Sequence, residues 1–168
     1  TDAVFNKIAD LFYKKTKARF GECCFFSGDP FHEAGETGGI DLGNFGKSIV
    51  DKMKCHNPNG VWVFQGWQGN PEIELLSGIP KEDVLILSLS ADTNYKSEDF
   101  FGGYPWIYCT TPNFGGVRKM YGNIQGMLFE PIEQVKGCLK TAPIGIGMTM
   151  EAIEVDEVLY DAFASVSF

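Results

Sequence analysis

Histidine is scarce in this chain, and so is positive charge. Only His32 and His56 occur among 168 residues. They are too few and too far apart to build a zinc site, and His56 is expected to be solvated in a turn. Fourteen Lys and Arg stand against 22 Asp and Glu, for a net charge of −8 and a pI near 4.7. That sign repels nucleic acid, anionic membrane and polyanionic polysaccharide at long range. A neutral or cationic partner fits it better. No apolar run approaches the eighteen or so residues that a membrane helix requires, which argues against membrane insertion. No secretory leader and no Asn-x-Ser/Thr sequon are present. The chain opens on Thr1 rather than Met, as a cut or cleaved product would, so the missing leader does not fix a compartment.

Other absences narrow the chemistry. The five cysteines, at 23, 24, 55, 109 and 138, are odd in number and irregular in spacing, so they form no disulfide framework. Cys23, Cys24 and Cys109 fall in apolar strand-like runs and are expected to be small buried hydrophobes. A cysteine nucleophile paired with His32 therefore finds no support. Gly46-Lys47-Ser48 resembles the end of a phosphate loop, but Asp41 stands where that loop needs glycine. Gly145-Ile146-Gly147 lacks the third glycine of a dinucleotide fold, because position 150 is Met. No Gly-x-Ser-x-Gly elbow occurs.

What remains is an alternation of helical and extended patterns. Val4, Ile8, Leu11 and Phe12 have helical spacing, ended by Gly21. A strand is expected over 22–28. A glycine-rich loop over 35–43 leads to a helix with Leu42, Phe45, Ile49 and Met53 on one face. Asn57-Pro-Asn-Gly60 is a turn. Further strands are expected over 61–67, 84–90, 105–109 and 143–148. Helices are expected near 72–78, within 117–140, and around Val155, Val158, Leu159, Ala162 and Phe163, with 91–103 as loop. Strands 1 to 3 and 5 are nearly continuous apolar runs, the signature of strands covered on both faces. The expected fold class is α/β, with parallel strands and alternating helices. No repeat or linker appears, so residues 1–168 are expected to form a single domain.

In a parallel α/β sheet or barrel the strand C-termini share one face, and the loops there carry the chemistry. Glu33 follows the first strand and Glu151 closes the last. A carboxyl pair on such a face can cut a glycosidic bond, one as acid and the other as base or nucleophile. Gln65-Gly66-Trp67, Ser90-Ala-Asp92 and Asn113-Phe114-Gly-Gly116 end the intervening strands. Sugar pockets combine aromatic faces with amides and carboxylates of this kind. Trp67 and Phe114 also suit core packing, and Asn113 suits a turn.

Six segments then occur in one order: Thr1-Asp2-x-x-Phe5, Asp29-Pro-Phe-His-Glu33, Trp62-Val-Phe-Gln-Gly-Trp67, Ile107-Tyr-Cys-Thr-Thr-Pro-Asn-Phe-Gly-Gly116, Gly147-Met-Thr-Met-Glu-Ala-Ile153 and Asp156-Glu-Val-Leu-Tyr160. Together they resemble the α-N-acetylglucosaminidases of glycoside hydrolase family 89, in their bacterial form, over about residues 1 to 163. The resemblance implies about five β/α units of a (β/α)₈ TIM-type barrel, a partial barrel from the C-terminal part of the catalytic domain. It implies exo-acting, retaining removal of terminal α-linked N-acetylglucosamine by double displacement, with no metal or organic cofactor. On the matching positions, the acid/base falls on Glu33 and the nucleophile on Glu151. The sugar pocket falls on Trp67, Leu89, Asn113 and Phe114. The implied partner is a glycan ending in α-linked N-acetylglucosamine. The implied location is secreted or periplasmic in a bacterium, or lysosomal in a eukaryote.

The chain departs from the family in places. Ser88 and Asp92 stand where the family has Asp and Glu, Thr111-Pro112 where it has Leu-His, and Tyr108 where Trp is frequent. Met150 and Ala152 flank Glu151 in place of Pro and Gly. Five strands rather than eight imply that missing barrel segments, or self-association, complete the structure. Two alternatives remain at this point. One is a non-catalytic carbohydrate-binding or assembly fragment that retains the barrel fold. The other is a β-hexosaminidase assisted by the substrate's acetamido group, for which Asp29 or Glu36 would supply the second acid.

Overall fold

A computed structural model describes residues 2–31, 35–91, 99–111, 124–137, 142–151 and 157–166. Five strands form one sheet in the order β1-β2-β3-β4-β5: Phe25–Ser27, Val61–Gly66, Val84–Ser88, Trp106–Thr110 and Ile146–Met148. The β1–β2, β3–β4 and β4–β5 pairings are parallel. Helices alternate with them: α1 Ala3–Phe20, α2 Leu42–His56, α3 Ile73–Leu76, α4 Ile124–Gly137 and α5 Glu157–Ala164. Short 3₁₀ turns cover Lys81–Asp83 and Asp99–Gly103. The α/β class with parallel strands is therefore observed. The chain divides into two compact units, Thr1–Phe64 with Asn70–Leu85, and Gln65–Gly69 with Ile86–Phe168.

In the first unit, Asp2 caps α1. Its carboxylate accepts from the N–H of Val4 at 2.6 Å and of Phe5 at 3.2 Å, satisfying two donors that lack helical partners. Gly21 ends the helix at φ 83° and donates to the Lys17 carbonyl. The apolar stripe expected on α1 is there, but no α1 residue is buried. Val4, Ile8, Leu11 and Phe12 are 50–63% exposed. Asp41 caps α2 through the Asn44 N–H, and this bond, with one from the Asn44 side chain, holds the Asp41 carboxyl below its ordinary pKa. The buried stripe of α2 is Gly46, Val50 and Met53. Only Met53 of the expected face belongs to it. Gly46 explains the shift: a Cβ there would lie 2.0 Å from the Leu75 carbonyl oxygen. The glycine lets α2 press directly on the α3 backbone, and that contact rotates the helix.

Two further expectations are corrected in this unit. Strand β1 is three residues long, not seven, so Cys23 is half-buried and Cys24 is exposed. The strand extends only as far as its register with Val61–Val63. His56 is not solvated. It ends α2 half-buried, with Nε2 2.7 Å from Asp10 Oδ1 and its ring stacked on Tyr13 at 5.3 Å. Lys52 lies 2.6 Å from the same Asp10 oxygen. Hydrogen bonds from Lys52 and then His56 hold the Asp10 carboxyl below its ordinary pKa.

The second unit has an aromatic core. Trp106 and Tyr108 of β4 are fully buried with Phe163 of α5 and Met127 of α4. Tyr108 packs 6.2 Å from Trp106 and 6.3 Å from Phe163, ring to ring, and its hydroxyl donates to the Gly126 carbonyl. Leu159, Tyr160 and Phe163 form the buried stripe of α5. Val158, placed with them by periodicity, is 71% exposed. Val155 lies outside the described residues. Strand β4 is buried at four of its five positions, whereas β5 is only half-buried throughout. Cover on both faces thus fails for β5, and for β1, where two of three residues are exposed. Both are the outermost strands in the order, and each has one neighbour.

Cys109 faces Gly147 in the β4–β5 register. A Cβ on Gly147 would meet its sulfur at 2.7 Å, so glycine lets the outer strand approach. Burial pushes the Cys109 thiol up to about 12 from an ordinary value near 9. The thiol therefore contributes full stability below pH 9, and that contribution is lost as pH rises toward 12.

Two outcomes test this packing in the polypeptide that carries the segment. Gly46→Ala should cost roughly 1–3 kcal/mol, since a backbone carbonyl must move to admit the methyl. An unchanged urea midpoint would refute the helix contact. At pH 8, iodoacetamide should modify the exposed Cys24 and Cys55 and spare Cys109 until denaturant is added. Labelling of Cys109 in the native protein at the rate of Cys24 would refute its burial.

Candidate functional site

The site is built from strand ends. In the second unit, the C-terminal ends of β2, β3, β4 and β5 are joined by a chain of hydrogen bonds. The Leu89 N–H donates to the Gly66 carbonyl at 3.1 Å. The Thr111 hydroxyl donates to the Leu89 carbonyl at 2.9 Å. The Thr111 and Thr149 hydroxyl oxygens are 2.6 Å apart. Thr149 then meets the Thr110 carbonyl twice: its N–H donates at 3.0 Å, and its hydroxyl oxygen lies 2.8 Å away.

Three of the residues singled out in the sequence lie on this chain of bonds or within two residues of it. Trp67 follows Gly66 and is half-buried; Leu89 is half-buried and is itself a link. Glu151 stands two residues beyond Thr149 and is exposed. An exposed carboxylate and a half-buried indole at the strand ends of one sheet suit a polar ligand that also has an apolar face. Gln68 and Gly69 follow Trp67 with φ 50° and 83°, so the backbone turns sharply just after the indole. Asn113 and Phe114 lie outside the described residues. Among the described residues, no three His, Cys, Asp or Glu side chains converge as a metal ion would require.

Glu33 also lies outside the described residues, but its flanks in the first unit are defined. The Trp62 indole N–H donates to the Gly28 carbonyl at 2.8 Å, just after β1. Phe31 adopts φ 64°, a strained conformation for a bulky residue and one that concentrates at functional loops. Its ring packs 5.3 Å from that of Phe45. A Cβ on Gly35 would fall 2.7 Å from the Phe31 Cα. The backbone before and after Glu33 is therefore drawn together, and glycine is what permits it.

Sequence reasoning missed Thr149 and the pairing role of Thr111. Thr111 stood out only as a departure from a pattern. The signal lies in the register: Thr110 pairs with Met148, which brings Thr111 alongside Thr149.

Comparison with known proteins identifies the family of the segment. The family model described as the alpha-N-acetylglucosaminidase (NAGLU) tim-barrel domain matches residues 1–168. Human alpha-N-acetylglucosaminidase is 26% identical over 180 residues, covering 99% of this chain and 24% of the human protein. A family 89 glycoside hydrolase from Clostridium perfringens, solved in complex with 2-acetamido-1,2-dideoxynojirmycin, superposes with a TM-score of 0.87 at 33% identity. That match covers 99% of this chain and 19% of the solved one. The Clostridium perfringens enzyme in complex with its substrate GlcNAc-alpha-1,4-galactose matches with a TM-score of 0.86 at 32% identity, over the same shares. The chain thus spans about a fifth to a quarter of the relatives it matches. With its five parallel strands and interleaved helices, the chain belongs to the alpha-N-acetylglucosaminidase family and forms part of its TIM-barrel domain.

Proposed function

We propose that residues 1–168 are one catalytic piece of a retaining α-N-acetylglucosaminidase. The observation that carries this reading is the family match over the whole segment, with Glu151 placed just past β5 at the strand ends that also hold Trp67 and Leu89. The substrate is a glycan ending in α-linked N-acetylglucosamine, the kind of sugar held in the Clostridium perfringens complex.

Glu151 attacks the anomeric carbon while Glu33 protonates the departing oxygen. A glycosyl–enzyme ester forms on Glu151 as the glycosidic bond breaks. Glu33 then deprotonates water, which displaces the sugar from Glu151 with net retention. Such a pair works with its carboxyl groups roughly 5–5.5 Å apart. Trp67 stacks on the sugar face, with Leu89 and Phe114 at its apolar rim. Asn113 binds a hydroxyl or orients Glu151.

The segment acts as a single barrel portion, completed by the rest of the polypeptide. Its outer strands β1 and β5 and the exposed stripe of α1 are the surfaces that completion would cover. Residues 1–168 produced alone should therefore show negligible turnover of an aryl α-N-acetylglucosaminide. Full turnover by that short chain would show that it needs no further segments. The secreted, periplasmic or lysosomal location of such enzymes is part of the same proposal.

Substitutions in the full polypeptide test the roles. Glu151→Gln should abolish turnover of every substrate. Glu33→Gln should slow substrates with poor leaving groups by about 10²–10⁴-fold and activated aryl glycosides far less, because those need little protonation. Azide should rescue Glu33→Gln on the activated substrate and yield a glycosyl azide. Equal losses on both substrate classes, without rescue, would overturn the assignment. Binding of the glycan without any turnover by the unaltered protein would favour the non-catalytic reading.

A further inference from the structure

Glu151 is attached to a weak element. Strand β5 is three residues long, half-buried, and outermost in the sheet. A strand end of this kind frays readily, because few bonds hold it. A nucleophile must nevertheless be held to a fraction of an ångström. The residue that anchors the chain between β5 and Glu151 is Thr149.

The hydroxyl protons around Thr149 can be counted. Each threonine hydroxyl donates once, and the carbonyls of Leu89 and Thr110 can only accept. Two protons therefore serve three oxygen–oxygen contacts. The Thr110 carbonyl already receives the Thr149 N–H at 3.0 Å. The one assignment that gives both carbonyls a donor and puts a proton in the 2.6 Å hydroxyl contact sends the Thr111 proton to Leu89 O and the Thr149 proton to Thr111 Oγ1. Hydroxyl then donates to hydroxyl in one direction, from β5 through β4 to β3. From Leu89 the backbone bond to Gly66 continues to β2, immediately before Trp67. One run of bonds thus joins the approach to the carboxylate to the approach to the indole.

We infer that Thr111 and Thr149 form a hydroxyl latch that positions Glu151 against the sugar pocket. They are positioning residues: neither is assigned a contact with substrate. The inference rests on the proposed role of Glu151, and its test separates the two. Valine replaces threonine with nearly the same shape and no hydroxyl, while serine keeps the hydroxyl.

In the full polypeptide, Thr149→Val and Thr111→Val should each lower kcat on an activated aryl α-N-acetylglucosaminide by about 10- to 100-fold, the scale of an ångström-sized misplacement. KM should change little. Thr149→Ser and Thr111→Ser should retain most of the activity. Because the pair acts as one unit, the double valine variant should lose no more than the poorer single variant. Hydrogen exchange in a peptide spanning 146–151 should quicken in the valine variants and not in the serine ones. This exchange measurement decides the latch even where a variant is too unstable to assay.

Valine variants with unaltered kcat and unaltered exchange would overturn the latch. So would serine variants as impaired as valine, which would assign the effect to packing of the methyl group. Independent, multiplying losses in the double variant would show that the two hydroxyls do not act together. An unaltered protein without hydrolase activity would instead sink the reading of Glu151 as nucleophile, and exchange alone would then decide the latch.

Discussion

Parallel pairing between short strands is the constraint on which the rest of this structure depends. A parallel ladder cannot be closed by a hairpin, so each strand must return through a crossover, here usually a helix. The crossovers lie against the sheet, and the ladder turns the paired strand ends the same way. In the second unit, this gathers Trp67, Leu89, Thr111 and Glu151 although 84 positions separate the first from the last. No local feature of the sequence around Glu151 would place it on the same strand-end face as an indole. The register does it, one residue pair at a time.

The same constraint leaves the outer strands exposed to failure, and the chain meets this with small, specific devices. Gly147 removes a side chain so that β5 can lie against Cys109. Thr149 holds the Thr110 carbonyl through its N–H and reaches across to Thr111 through its hydroxyl. Each hydrogen bond contributes only about 0.5–1.5 kcal/mol net. Their direction matters more than their sum, because they restrain the backbone just upstream of a carboxylate that is itself exposed. The core beneath, where Tyr108 is clamped between Trp106 and Phe163, supplies the rigid strand that those bonds hold on to.

Much of this was legible in the sequence, and the boundary of what was legible is physical. Apolar runs separated by helical periodicity gave the five strands and their parallel class, since both follow from which residues leave water. Strand lengths did not follow. Cys23 and Cys24 look like strand residues, yet β1 begins at Phe25 because pairing with Val61 begins there. Periodicity also marks an apolar face without saying what covers it. Val4, Ile8 and Leu11 have the same spacing as a core helix and remain exposed. For α2 the expected face was offset, because Gly46 contributes to packing by what it lacks. His56 looked like a turn residue, but Asp10, 46 positions earlier, holds it in place.

The site divides along the same line. Glu151, Trp67 and Leu89 could be picked out because a strand followed by a polar or aromatic residue is a local pattern, strengthened by resemblance. The threonine pair could not, because its meaning exists only across the β4–β5 register. Thr111 taken alone is a departure from the family and Thr149 an ordinary β-branched residue. A hydroxyl carries no directional information until its neighbour is known, whereas a carboxylate on a strand end carries charge wherever it lies. Chemistry that acts on substrate is therefore written in residue type, and the precision with which it acts is written in contacts between strands. A family can keep the first while a single chain replaces the second. Under the proposed latch, polar positions that break the family pattern, as Thr111 does, are thus the places where such a chain rebuilds the support of Glu151.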